Sequence, residues 1–593
     1  MKYTEAPINI LNMSIEEIQQ SVDLGIINYE TIAKIYLERI QEYNDEFMAI
    51  ISENENIVEQ AKKLDEKYKQ SGRTSMLYGI PIILKDNIDY VGLPTTAGAK
   101  GLKDNYPKQN ATIVQNLLDA GALIIGKANM SEFAFSARTS SSSYGTVKNA
   151  YDTALTSYGS SGGTAVAVST GMAVAGLGTD TNSSIRVPSS AANLIGLRPT
   201  YSLLSSDGII NYDASRDTAG PMTKYTSDNA ILLEVLTSNL ERYTQYENSV
   251  KDMKIGVVSQ FVYGDETLSY TGATKSTDAV ILTLFNSSIN KLKESGAQIV
   301  YIDDLYNEEA YDYYSSTIGG WTMCHFFNEY IKNTSGDINS FEELVESGEY
   351  IQDLPSYEEC CNDSLEPFYR YNAKHIEYKE YVISQMNRYN VDVLAYPTTK
   401  NEIATLDDAN VTSPSFAISP VTGMPAISIP MGFSQDNLPY GIEVLAKDNK
   451  ENQLYAISNI LVPESEFTFS KLSPNLYEID DDVTALVELY KNNTDRLDRR
   501  RYKDIKNQIK YFFENYNSYD NQEQVAISLV QDFNKTREKE NKHNNVISGL
   551  AIIVIIILAL GIIRKVKNCK KVKKRKGKIN SMSGARRRQN RRR

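Results

Sequence analysis

Three side chains in this sequence could together take a proton and attack a carbonyl carbon: Lys85, Ser160 and Ser184. A serine hydroxyl is a poor nucleophile until a neighbouring base removes its proton, and a neutral lysine can serve as that base. Histidine has few openings here, because His325, His375 and His543 are the only ones in the chain and none is near either serine in sequence. Lys85 closes the apolar run YGIPIILK, where burial can lower an amine pKa into the range useful to a base. Ser160 lies in GSSGG and Ser184 in DTNSSIR. The turn through Thr181, Asn182, Ser183 and Ser184 offers consecutive backbone N–H groups to an oxygen that turns negative in a tetrahedral intermediate. Glycines beside Ser160 permit backbone shapes and close approaches denied to other residues. A phosphate loop is a poor alternative, since GSSGGT lacks the Lys-Ser/Thr ending, and a Gly/Ser linker would not run between apolar segments.

These residues need a rigid frame. SIEEIQQSVDLGIINYETIAKIYLERIQEYND carries apolar residues at helical spacing, with Ser14 and Glu17 set as a capping box, and reads as a helical pair. YGIPIILKDNI reads as a short buried strand ending in Lys85. ATIVQNLLDAGALIIGKANM, AVAVSTGMAVAGLGTD and TDAVILTLFNSSINKLKESGAQIVYIDDL each read as a helix followed by a strand, and further strands are expected around VDVLAYPTT and GMPAISIPMGF. This alternation predicts an α/β fold with a central mixed β-sheet surrounded by helices.

Five stretches occur in the order of one known pattern: GIPIILKDNIDYVGLPTTAG, GALIIGKANMSEFA, GSSGGTAVAVSTG, GLGTDTNSSIRVPSSAANLIGLRPT and PAISIPMGFSQDNLPYGIEVLA. On these the chain resembles the amidase signature family, over roughly residues 13–462. The resemblance implies the amidase-signature fold and a Ser-Ser-Lys triad. In it Ser184 would attack an amide carbonyl, Ser160, at a position the family holds with a cis peptide bond, would relay the proton, and Lys85 would be the base. Backbone amides of Thr181, Asn182 and Ser183, with Ser184 itself, would form the oxyanion hole. No metal and no organic cofactor is implied. The chain departs from the family at Asn182 and Ser183, where the family usually has Gly-Gly, so any positive φ needed there would be strained. Glu132 and Arg186 read as polar residues that support the site. Substrate choice is expected from residues 301–388 and the loops near 131–143. Their aromatic stretch EEAYDYYSSTIGGWTMCHFFNEY, with Trp321, reads as helix packing before it reads as an acyl-group wall. His325 and His375 fall in the same region.

The net charge of −13 conceals a division within the chain. Residues 564–593 hold 16 Lys or Arg and no Asp or Glu, which leaves the remainder strongly acidic and argues against a nucleic-acid partner for it. Val546 to Ile563 is 18 residues without a charge, near the minimum for a membrane-crossing helix, and reads as a single transmembrane helix. The expected organisation is a catalytic domain over 1–480, a charged helical stalk over 481–545, the transmembrane helix over 546–563 and a basic juxtamembrane tail over 564–593, positioned for anionic lipid. A basic flank favours the cytoplasm, yet the first residues show no apolar signal core, so the side occupied by the body stays open. Four cysteines include the adjacent Cys360 and Cys361, and none has metal-ligand spacing with histidine, which argues against a disulfide scaffold or a zinc site.

Three functions fit these observations. The first is a membrane-anchored serine amidohydrolase cleaving a small carboxylic amide through an acyl-enzyme on Ser184. The second, sharing the same signature, is the A subunit of the glutamine-dependent aminoacyl-tRNA amidotransferase. The third is a non-catalytic binding protein on an amidase fold.

Overall fold

The computed structural model describes residues 6–238, 242–264, 276–305, 321–351, 366–408, 411–416, 418–462, 481–518 and 521–543. They divide into two compact units, with the boundary between residues 479 and 480 and with 516–518 counted in the first.

The first unit is built on a sheet of eleven strands among the described residues. In chain order these are β1 (Ile50–Glu53), β2 (Pro81–Lys85), β3 (Leu123–Ala128), β4 (Ala175–Asp180), β5 (Ile195–Arg198), β6 (Thr218–Thr223), β7 (Lys254–Val258), β8 (Gln298–Ile302), β9 (Val393–Pro397), β10 (Ala426–Phe433) and β11 (Pro439–Ala446). Their spatial order is β1-β3-β2-β4-β6-β5-β10-β11-β9-β7-β8. Parallel pairs (β2 with β3 and β4, β7 with β8 and β9) flank an antiparallel centre. The expected mixed α/β sheet is present. Its inner strands are apolar along most of their length because helices cover both faces: every residue of β2, β3 and β4 is buried.

The N-terminal helical pair forms as α1 (Ile15–Asp23) and α2 (Tyr29–Phe47), and the capping box closes in both directions. Ser14 Oγ accepts from the Glu17 amide at 3.3 Å, and Glu17 Oε2 accepts from the Ser14 amide at 2.8 Å. The small-residue run between the two serine clusters is packing. Helix α3 (Gly162–Ser169) is wholly buried, and a Cβ at Gly163 would lie 2.1 Å from the Asn129 carbonyl oxygen and 2.5 Å from that of Ala49. Only glycine allows so close a backbone approach. The strand that follows, β4, carries the chain back to the site. Three further helices of this unit bear on the site: α4 (Arg186–Ala191), α5 (Trp321–Ile331) and α6 (Glu366–Arg388).

The second unit is helical: α7 (Asp481–Asn492), α8 (Lys503–Glu514) and α9 (Gln522–His543). Leu486, Tyr490, Tyr502, Phe512 and Phe533 are buried among them, and α7 and α9 pack on each other. The charged composition that reads as a stalk therefore clothes a helical bundle with a core of its own, because apolar residues at helical spacing find partners within the unit. No helix among the described residues is long and apolar enough to cross a membrane. The segment Val546 to Ile563 and the basic tail lie outside the described residues. Cys324 is disulfide-bonded, a bridge within a fold that rests on its hydrophobic core and not on a disulfide scaffold.

Candidate active site

Lys85 emerges from the end of β2 into a fully buried position, between the loop that carries Ser160 and the end of β4. Its Nζ donates to Ser160 Oγ at 2.7 Å, to Thr179 Oγ1 at 2.8 Å and to the Thr179 carbonyl at 3.2 Å. Asn87 Nδ2 also donates to Thr179 Oγ1, at 3.1 Å, so the threonine hydroxyl is a fixed anchor for the amine. Burial pulls the Lys85 pKa down to about 7, against the opposing charges of Asp217 and Asp180. An amine of that pKa is largely free base slightly above neutrality and can accept the proton of the hydroxyl it touches.

Ser160 follows a cis peptide bond from Gly159. Tyr158, just before, holds a left-handed φ of 56°, and its Oη accepts from the Ala404 amide at 3.2 Å. The two serine clusters meet through the backbone: the Ser161 amide donates to the Ser184 carbonyl at 3.2 Å. Ser184 keeps 8% of its surface exposed, and among the described residues no group hydrogen-bonds its hydroxyl. The amides of Asn182, Ser183 and Ser184 likewise donate to no acceptor among the described residues. Three unspent N–H groups beside an available hydroxyl form an arrangement able to bind an oxyanion.

Neither Asn182 nor Ser183 has a positive φ. The steric penalty that their substitution for glycine would bring in a left-handed turn does not arise here. The Asn182 side chain instead gains a contact glycine cannot make, its Oδ1 accepting from Arg216 Nη1 at 3.0 Å.

Helix α4 starts directly after the loop that carries Ser184, and Arg186 is the knot beneath it. Its Nε donates to Asp180 Oδ2 at 3.1 Å, Nη1 to Glu443 Oε1 at 2.5 Å and to the Ser415 carbonyl at 2.9 Å, and Nη2 to the Asn182 carbonyl. Burial alone would raise the Asp180 carboxyl, but Arg186 and Arg198 together hold it below its usual range. Arg186 thus supports the loop. Glu132 does similar work elsewhere: it accepts from the Ser142 amide and hydroxyl and, at 2.6 Å, from the Ile351 amide.

Asp180, Arg198, Glu443 and Asp217 do not stand out in the sequence as functional residues. Asp180 and Glu443 lie inside the family motifs, so only their partners were missing. Asp217 lies outside every motif, and nothing in its local sequence marks it.

Around the site, α5 packs Met323, Cys324 and Phe327 into a core with Met130 and Phe133, which is ordinary helix packing. His325 meets the Phe326 ring. His375, on α6, is buried near Arg216 and Arg198; desolvation, with those charges, pushes its pKa down to about 3. It is a neutral imidazole through the physiological range. No cluster that could hold a metal ion occurs among the described residues.

Fold and geometry define the class: an α/β protein with a buried lysine–serine pair beside a serine on a loop of unspent amides. The chain belongs to the amidase family, whose pattern matches residues 31–455. The A subunit of the glutamyl-tRNA(Gln) amidotransferase of Thermoanaerobacter pseudethanolicus is 28% identical over 501 residues, covering 78% of this chain and 98% of that protein. Among solved structures, the native peptide amidase from Stenotrophomonas maltophilia superposes with a TM-score of 0.69 at 24% identity, covering 78% of this chain and 98% of its own, a likeness of fold. An amidase family protein from Bacillus anthracis str. Ames matches with a TM-score of 0.64 at 26% identity, over 77% of this chain and 92% of its own.

Proposed function

We propose that this protein is a serine amidohydrolase that cleaves a carboxylic amide to an acid and an amine or ammonia. Ser184 Oγ attacks the carbonyl carbon, its proton passing through Ser160 to Lys85 Nζ. The developing oxyanion is held by the amides of the Thr181 to Ser184 loop. The C–N bond then breaks as the proton returns by the same relay to the leaving nitrogen, and water hydrolyses the acyl-enzyme. The observation that carries this reading is the 2.7 Å contact of Lys85 Nζ with Ser160 Oγ in a site that brings the amine pKa down to about 7.

The test is covalent labelling of the full chain by a fluorophosphonate, which reacts with an activated serine. Labelling of the parent and none of Ser184→Ala is the expected result. A folded parent that does not label would remove the proposal in favour of a binding protein.

The amidotransferase component is the second reading, favoured by the relatives' names. The acidic balance of the body weighs against a tRNA complex. The non-catalytic reading drew on Asn182 and Ser183, and their ordinary backbone geometry takes that support away. The proposal includes a membrane anchor at Val546 to Ile563 with the basic tail against anionic lipid, which rests on the apolar run and its charged flank.

A further inference from the structure

Asp217 immediately precedes β6, whose first residue, Thr218, pairs with Asp180 at the end of β4. That register sets the Asp217 carboxyl beside Thr181, the first residue of the loop leading to Ser184, and the Thr181 hydroxyl favours its charged form. Oδ2 accepts from the Tyr212 amide at 2.6 Å and from the Asp213 amide at 3.1 Å. Oδ1 is buried without a hydrogen bond of good geometry among the described residues. Such an oxygen is costly in a folded interior unless a charge or a dipole faces it.

Lys85 becomes a cation in the field of this carboxylate when it takes a proton. Two carboxylates act on it, Asp217 more strongly than Asp180. Asp180 is already engaged by Arg186 at 3.1 Å and Arg198 at 3.4 Å, so its field at the amine is largely cancelled. Asp217 has no cation within ion-pair distance among the described residues, and Arg198 reaches it only at longer range. Asp213, which pairs with Arg216 at 3.6 Å, and the Tyr201 phenol also lie in its field.

We propose that Asp217 is a positioning residue: its carboxylate is the counter-charge for the ammonium that Lys85 becomes on taking the serine proton, and it steadies the Thr181 end of the amide loop. The inference rests on the serine amidohydrolase reading. The electrostatics agree in sign. Burial, with Asp213 adding, raises the Asp217 carboxyl to about 6, so above neutrality the aspartate is charged while Lys85 is free base, which is the working combination. Because the two groups titrate over neighbouring ranges, the acid limb of the reaction belongs to the pair.

The experiment measures the fluorophosphonate labelling rate of the full chain from pH 5 to 9 for the parent, Asp217→Asn, Asp217→Glu and Thr181→Val, with thermal melts of each. Loss of the negative charge favours the free amine. The Asp217→Asn inflection should therefore move about half a pH unit to the acid side, roughly a three-fold gain in relative rate on that limb, while its plateau falls about ten-fold or more. Asp217→Glu keeps the charge and should keep the parent inflection. Thr181→Val withdraws the hydroxyl that favours the charged aspartate, so it should lower the plateau and move the inflection in the same direction as Asp217→Asn but by less. A parent that does not label overturns the serine reading and this inference with it. A parent that labels, with an Asp217→Asn inflection that stays put, overturns the inference alone. Failure of both Asp217 variants to fold would make the residue structural and overturn it equally.

Discussion

At the scale of single residues, the depressed pKa of Lys85 has a directional consequence. The amine is a base only when deprotonated, so Ser184 reactivity should disappear as pH falls through about 7, by about ten-fold per unit below it. A labelling profile flat from pH 6 to 9 would contradict this, and Lys85→Met should lower the plateau by about 100-fold or more. Of this site, Lys85, Ser160 and Ser184 were legible in the sequence, because they fall in motifs whose order is itself informative. Asp217 and Glu443 were not legible as partners. A carboxylate's role depends on what faces it, and Asp217 meets Thr181 only through the antiparallel register of β4 and β6, which residue types do not encode.

At the scale of elements, the Ser184 loop is held from below by Arg186 as well as by backbone contacts, such as that of the Ser184 carbonyl with the Ser161 amide. Arg186 joins β4 through Asp180 and β11 through Glu443, both in full burial, and the loop through the partly buried Asn182 carbonyl. Arg186→Met would leave two buried carboxylates short of a partner and should cost about 3–5 kcal/mol, seen as a drop in the midpoint of denaturant unfolding. A loss under about 1 kcal/mol would mean the arginine is dispensable to the fold. Asn182→Gly makes the opposite kind of test. With no positive φ to relieve, glycine brings only backbone entropy and the loss of the Arg216 contact, so stability should fall by about 1 kcal/mol. A gain in stability would show that the asparagine is strained after all. The helix-then-strand spans were legible from their apolar runs, which are continuous where an element is wholly buried, as in α3 and β4. The bundle over 481–543 reads as a stalk in the sequence because its charges are dense, whereas its core residues, such as Tyr490 and Phe512, meet only in three dimensions.

At the scale of the whole molecule, charge and sulfur chemistry bear on the same question. The basic tail favours the cytoplasmic face, where anionic lipid attracts it, and the acidic remainder of the chain is repelled from such a surface. A disulfide at Cys324 persists in an oxidising compartment and is rare in a reducing one. With Val546 to Ile563 crossing the membrane as proposed, both preferences would be met by one topology, the body on the oxidising side and the tail in the cytoplasm. Protease added to intact cells should then digest the body while an epitope placed after Arg593 stays protected, and the cysteine at 324 should resist alkylation until a reductant is added. Digestion of the body only after permeabilisation would reverse the topology and leave the disulfide without an environment to sustain it. Protection of both ends with ready alkylation of Cys324 would place the whole chain in a reducing compartment, and the apolar run would then need a role other than crossing the membrane.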